Sequence, residues 1–257
     1  MAAPAPDTPP RLLILGGTAE GRALAEATQA RFGPSLTVIS ALAGRTQNPL
    51  LPTGTVRVGG FGGTEGLASY LRNEGIGLLI DATHPFATQI SAHACEAAAR
   101  AGTERLALVR PPWCPASGDR WIEVATVEDA AAAIPAGARR VFLTVGVRSL
   151  APFARHRDCW FLVRLVDAPA EPIPLARHGL ICARGPFAED DERALLTEHG
   201  IDCLVTRASG GEATAAKLAA ARALALPVVM VRRPAPPPGD HAASLEDALA
   251  WIEQHLG

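Results

Sequence analysis

Long apolar runs, lysine, tyrosine and clustered metal ligands are scarce or missing from this 257-residue chain, and each gap narrows what it can do. No apolar stretch reaches the roughly 20 residues that a membrane span needs, so no membrane role is expected. Of the 24 basic residues only Lys217 is a lysine, and the net charge of −2 offers nucleic acid no broad attraction. Cys95, Cys114, Cys159, Cys182 and Cys203 lack C-x-x-C spacing, and an odd number leaves one over in any pairing scheme. Reduced thiols in a cytoplasmic protein are the simple reading, with no metal site. No G-x-S-x-G elbow or Walker loop occurs, which argues against hydrolase and kinase chemistry. The Ala/Pro-rich segment 1–10 has no cationic start followed by an apolar core. It reads as a disordered tail, not a signal peptide.

What the chain does have is the composition of a soluble globular protein, 48% hydrophobic and 19% charged, with length for one large or two modest domains. Its organising stretch is Leu12-Leu-Ile-Leu-Gly-Gly-Thr-Ala-Glu-Gly21. Four aliphatic residues predict a strand buried on both faces. Gly16 and Gly17 permit a tight turn, and Thr18 can cap a helix beginning near Ala19. A strand, glycine turn and helix start form a site for phosphate. The glycines fall at 16, 17 and 21, where the dinucleotide fingerprint would want 15, 17 and 20, so a plain strand and turn remains the alternative.

Further strands are expected at Leu36–Ser40, Thr55–Val58, Ile76–Ile80, Leu106–Val109 and Val141–Val145, with helices after several of them. At the end of the second strand a carboxylate would hold a ribose 2′-hydroxyl and an arginine a 2′-phosphate. Ser40 and Arg45 stand there, and no Asp or Glu lies between Ser35 and Thr64. This favours NADPH over NADH, with a solvated loop arginine as the bland reading of Arg45.

The second half echoes the first. Gly75-Ile76-Gly77-Leu78-Leu79-Ile80 matches Gly200-Ile201-Asp202-Cys203-Leu204-Val205, and Ala97-Ala98-Ala99-Arg100 matches Ala219-Ala220-Ala221-Arg222. Ala125-Thr126-Val127-Glu128-Asp129-Ala130 matches Ala243-Ser244-Leu245-Glu246-Asp247-Ala248. The expected fold class is therefore α/β, two tandem Rossmann-like units with mostly parallel sheets and a cleft between them. Residues 11–136 form the cofactor unit and 137–257 the second, with strand exchange left open.

Residues just past each strand are the ones able to reach a ligand. In the second half these include Arg164, Arg184, Arg207, Ser209, Gly210, Gly211, Arg232 and Arg233, a set suited to a polyanion. Any one of these arginines could instead be solvated or paired with a structural carboxylate. Thr83 and His84 follow the strand ending near Ile80; His84 is a candidate acid or donor, or a helix cap. Asp81 is expected to orient Thr83 or backbone amides.

Taken together, Leu15-Gly16-Gly17-Thr18-Ala19-Glu20-Gly21-Arg22, Ser40-Ala41-Leu42-Ala43-Gly44-Arg45, Asp81-Ala82-Thr83-His84-Pro85-Phe86-Ala87, Arg184-Gly185-Pro186-Phe187, and Ser209-Gly210-Gly211 with Lys217 resemble the precorrin-6A reductases of corrin-ring biosynthesis. One departure is Arg207, where that family leads one to expect lysine. The resemblance implies NADPH-dependent reduction of one double bond of precorrin-6A or its cobalt form, with hydride delivered to C19 and a proton to C18. It implies no metal or flavin. It also implies Gly16, Gly17, Thr18 and Glu20 at the pyrophosphate, Ser40 and Arg45 at the 2′-phosphate, and Thr83 and His84 near the nicotinamide. Arg184, Arg207, Ser209, Gly210, Gly211 and Lys217 would hold the carboxylates of the tetrapyrrole, and neighbouring pathway enzymes would take the product. A reductase or epimerase of a smaller metabolite, and a non-catalytic binding module, are the competing readings.

Overall fold

The computed structural model describes residues 9–44 and 50–256. Most of the expected tail, and Arg45, lie outside them. Pro10 is already part of the fold, its carbonyl accepting from Thr37 N–H at 2.9 Å.

The chain opens β1 (Arg11–Leu15), α1 (Ala19–Phe32), β2 (Thr37–Leu42), β3 (Thr55–Val58), α2 (Gly63–Asn73), β4 (Ile76–Asp81), α3 (Thr88–Ala101) and β5 (Glu104–Leu108). It continues β6 (Arg120–Val124), α4 (Val127–Ala132), β7 (Arg140–Thr144), β8 (Trp160–Leu165), β9 (His178–Cys182), α5 (Glu189–Glu198), β10 (Cys203–Arg207), α6 (Ala216–Ala223) and β11 (Pro227–Val231). It ends β12 (Asp240–Ala242) and α7 (Leu245–His255). Two six-stranded sheets result, ordered β12-β5-β4-β1-β2-β3 and β6-β11-β10-β7-β8-β9, with every pairing parallel. Each is the doubly wound order, which switches direction beside its first strand. No described helix is long and apolar enough to cross a membrane.

In the first unit the sheet is buried on both faces, as the continuous aliphatic run of β1 requires. Leu12 and Ile14 pack under α1 and α7, against Leu24, Ala25, Ala248 and Ile252. Leu13 and Leu15 pack under α2 and α3, against Leu67, Leu71, Ala94 and Ala97. The many alanines on the helices let them lie close to the sheet. The second unit repeats this with Phe142, Leu162, Leu204 and Met230 at its centre.

The expected boundary at 136/137 is corrected. The units separate at Arg110/Pro111 and Arg233/Pro234, so residues 234–257 belong to the first unit and 111–136 to the second. Each sixth strand is exchanged: β6 pairs with β11, and β12 pairs with β5. The connections explain why neither strand returns to its own sheet. Parallel return calls for a crossover, usually helical. Pro111, Pro112 and Pro115 in one connection, and Pro234, Pro236, Pro237 and Pro238 in the other, favour extended backbone instead. The echoed tails were real structural equivalents: Thr126 caps α4 through Asp129 N–H, and Ser244 caps α7 through Asp247 N–H. Trp251 Nε1–H donates to Asp240 at 3.0 Å and fixes α7 to β12.

Candidate functional site

In the first unit the turn after β1 lies at the point where strand order reverses, between β1 and β4, where doubly wound sheets take their ligands. Gly16 N–H donates to Ala41 O at 2.9 Å, and Gly17 turns through φ +105°. Thr18 is the N-cap: its hydroxyl accepts from Gly21 N–H at 3.0 Å and donates to Ala82 O at 2.7 Å, tying the start of α1 to the end of β4. A Cβ on Gly21 would sit 3.3 Å from Ala82 Cβ, Gly16 Cα and Thr18 Oγ1, so a larger residue would crowd the helix against the turn at three points. A Cβ on Gly17, which is exposed, would meet no atom within 4 Å. Gly16, Gly17 and Gly21 thus give a tight turn, an open backbone and a close helix approach despite their shifted spacing, the features that a pyrophosphate-binding turn needs. Glu20, in the first turn of α1, accepts from Arg110 Nη1 with both carboxylate oxygens, at 2.8 and 2.9 Å.

Ser40 is corrected. β2 continues two residues past it to Leu42, and Ser40 is buried mid-strand, paired with Ile14 and Val56. Its hydroxyl has no hydrogen-bond partner among the described residues. β2 ends at Leu42, Ala43 and Gly44 come next, and Arg45 follows outside the described residues.

At the end of β4, Asp81 is buried and accepts from Thr83 twice, from the backbone N–H at 3.1 Å and from the hydroxyl at 2.6 Å. This is the orienting role expected of it. The Thr83 hydroxyl also lies 3.3 Å from Ser91 Oγ. His84 Nδ1 accepts from Phe86 N–H at 3.2 Å, which places the proton of a neutral ring on Nε2. The same contact is the backbone-satisfying role, so the turn fixes His84 whatever else it does. Gly16, Gly17, Thr18, Glu20, Thr83 and His84 therefore share one end of one sheet.

The second unit gathers its own set. Arg207 ends β10, and strand register makes it the counterpart of Ala82: Leu15 pairs with Asp81 in one sheet and Thr144 with Thr206 in the other. Where the first unit keeps a small residue beside its glycine turn, the second has a guanidinium. Arg207 Nη2 donates to Ser149 Oγ, and a Cβ on Gly146 would lie 3.8 Å from Arg207 Nη1. Burial lowers the Arg207 pKa from its ordinary value, although an arginine remains cationic at neutral pH.

Gly210 and Gly211 follow at φ +69° and +75°. Gly210 is seated against Pro111 O and Arg233, leaving no space for a side chain. Arg233 Nε donates to Ala208 O at 3.1 Å and Nη2 to Ser209 O at 3.0 Å, so Arg233 braces the loop that carries Ser209. Trp113 Nε1–H donates to Gly211 O at 2.7 Å. Lys217 is buried, its ammonium 4.8 Å from the Trp113 ring centroid and donating to Thr214 O at 2.8 Å. The exposed Arg184 precedes Gly185, whose cis bond to Pro186 and close approach to Ala213 O dock its loop on the same segment.

All six residues expected to hold substrate are thus brought to one region of the second unit, Gly210 and Lys217 buried and Arg184 exposed. Arg164, expected at a strand end, is instead buried within β8 against Glu192. Sequence reasoning gave Arg110, Trp113 and Arg233 no individual roles; their position after a strand and beside proline was the available signal. Among the described residues no group of three or more His, Cys, Asp or Glu side chains could hold a metal ion.

Comparison with known proteins shows which proteins this chain is similar to. A protein named Precorrin-6A reductase from Mycobacterium tuberculosis is 49% identical, and one from Rhodococcus erythropolis 47%, each over 94% of this chain and 97% of the relative. The solved structure titled CobK precorrin-6A reductase superposes with a TM-score of 0.90 at 43% identity, covering 96% of this chain and 97% of the other. The family described as Precorrin-6x reductase CbiJ/CobK matches residues 11–253, and the chain belongs to that family.

Proposed function

We propose that this chain reduces one double bond of precorrin-6A in cobalamin biosynthesis, using NADPH, with hydride to C19 and a proton to C18. The observation that carries this reading is the glycine turn at the β1/β4 switch point, with room at Gly17 and close helix approach at Gly21, in a chain of the precorrin-6x reductase family. A nicotinamide cofactor bound there supplies the hydride; the protein supplies position and surroundings.

Gly16, Gly17, Thr18 and Glu20 shape the pyrophosphate turn, and Arg45, outside the described residues, is assigned to the 2′-phosphate by its place in the sequence. Thr83, held by Asp81, and His84 line the place where the nicotinamide meets the ring. Arg184, Arg207, Ser209, Gly210, Gly211 and Lys217 grip the acetate and propionate carboxylates. The enzyme works in the cytoplasm and passes its product to the next enzyme of the pathway.

The test follows absorbance of NADPH with precorrin-6A. Native enzyme turns over with NADPH far better than with NADH. Arg45→Ala loses about ten- to a hundredfold in NADPH affinity, the worth of one charge-assisted contact, and levels the two cofactors. Equal use of NADH and NADPH by native enzyme would remove Arg45 from the scheme. An unchanged KM for precorrin-6A in Arg184→Ala/Arg207→Ala would remove the carboxylate grip.

A further inference from the structure

We infer that Arg110 is a positioning residue for the dinucleotide, acting through Glu20 by cancelling the negative charge that Glu20 places at the mouth of the phosphate turn. The inference rests on the cofactor reading given above.

Glu20 is the second residue of α1, following the Thr18 cap and Ala19. A carboxylate in a first helical turn is favoured by the helix dipole. The same positive end is what an incoming diphosphate would use, so an uncompensated Glu20 competes with it and repels it. The fold answers with Arg110. Both Glu20 oxygens lie within 2.9 Å of one guanidinium nitrogen, and the side chains are 31% and 15% exposed, sheltered enough that water screens the pair incompletely.

Arg110 is brought there by sheet order, not by local sequence. It follows β5, whose next residue Val109 donates to Ala242 O at 2.8 Å, so the exchanged strand β12 helps fix the backbone that carries the guanidinium. Glu20 and Arg110 then form a neutral couple. The turn amides remain the dominant field at the site, and Arg110 gives its charge to Glu20 and not to the phosphates.

A double-mutant cycle on the full-length protein tests this, with NADPH as the probe and binding read by titration at low and high salt. Arg110→Gln weakens NADPH binding about tenfold or more, and the deficit shrinks as salt rises, since it arises from repulsion. Adding Glu20→Gln to Arg110→Gln recovers most of the lost affinity. Glu20→Gln alone tightens binding, because the carboxylate charge at the mouth of the turn is removed. A brace with no electrostatic role would show the opposite pattern: both single variants and the double all weakened, with no salt dependence. That pattern overturns the inference. Arg110→Lys keeps the charge and retains affinity within a few fold, which guards against a misfolded Arg110→Gln. If native protein binds no NADPH, the cofactor reading itself fails; if native protein binds and the cycle shows no recovery, only the role of Arg110 fails.

Discussion

Arg164 and Glu192 meet as a two-pronged ion pair inside the second unit, Nη2 at 2.7 Å from Oε1 and Nη1 at 3.1 Å from Oε2, with side chains only 8% and 2% exposed. The guanidinium also lies 4.2 Å from the Phe187 ring centroid and 4.8 Å from that of Phe142. A strand arginine that looked available to a ligand is therefore a strut joining β8, α5 and the Arg184–Phe187 loop. Losing one partner strands a buried charge, so Arg164→Met alone or Glu192→Leu alone should cost about 3–5 kcal/mol in denaturant unfolding. Arg164→Met/Glu192→Leu together should fall within about 2 kcal/mol of native. A double variant no more stable than either single would contradict the pairing.

The Asp81–Thr83 contact makes a kinetic prediction. Asp81→Ala frees the Thr83 hydroxyl and should lower kcat about tenfold or more, with KM for NADPH little changed, since charge-assisted hydrogen bonds contribute about 1.5–3 kcal/mol. Asp81→Asn keeps an accepting oxygen and should fall between Ala and native. Unaltered turnover in Asp81→Ala would take Thr83 out of the catalytic group.

Gly21→Ala pushes α1 off the turn at three contacts of 3.3 Å and should raise KM for NADPH several-fold. Gly33→Ala, at φ +50° with open space around it, strains the backbone after α1 and should lower stability by about 1 kcal/mol while leaving KM alone. Comparing the two variants separates a site glycine from a chain-reversal glycine. Equal KM values would show that helix approach does not matter to the cofactor.

Burial pushes the Cys203 thiol up to about 12 and raises Cys159 also by burial. The folded state then holds protons that an unfolded thiol, ionising near ~8.5, has released. For Cys203 the stabilising effect is complete below that pH and is lost as pH rises toward 12, at up to about 1.4 kcal/mol per pH unit. One lysine and one tyrosine leave the thiols prominent in this range. Cys203→Ala should flatten the alkaline slope of unfolding free energy, whereas substitution of the exposed Cys114 should not. In native protein Cys114 and Cys182 should react with iodoacetamide, and Cys159 and Cys203 should not. An unchanged slope in Cys203→Ala would exclude that thiol as its source.

Much of the fold was legible because buried parallel strands write themselves as aliphatic runs. β1, β4, β7 and β10 all do so, and Thr18 announced its helix by its place after two glycines. The edge strands β6 and β12 have no counterpart in the sequence reading, and β9 enters it only as the strand that Arg184 follows. Their exposed positions mix polar and apolar side chains, Ile122 and Leu180 among them, so no continuous buried aliphatic run marks them. The site was legible to the extent that its residues follow strands. Gly16, Gly17, Thr18 and Glu20 came together as expected, whereas Ser40 did not, because β2 runs two residues further and turns that side chain into the core.

By itself the sequence determined the two-fold repeat, the α/β alternation and the glycine turn, all written in spacings a few residues long. Only the tertiary structure decided which sheet each sixth strand joins, that Arg110 neutralises Glu20, and that Lys217 is buried against Trp113. Two similar strands fit two similar edges equally well by any local criterion. Residues far apart in sequence become partners only after the sheet order has placed their strand ends side by side.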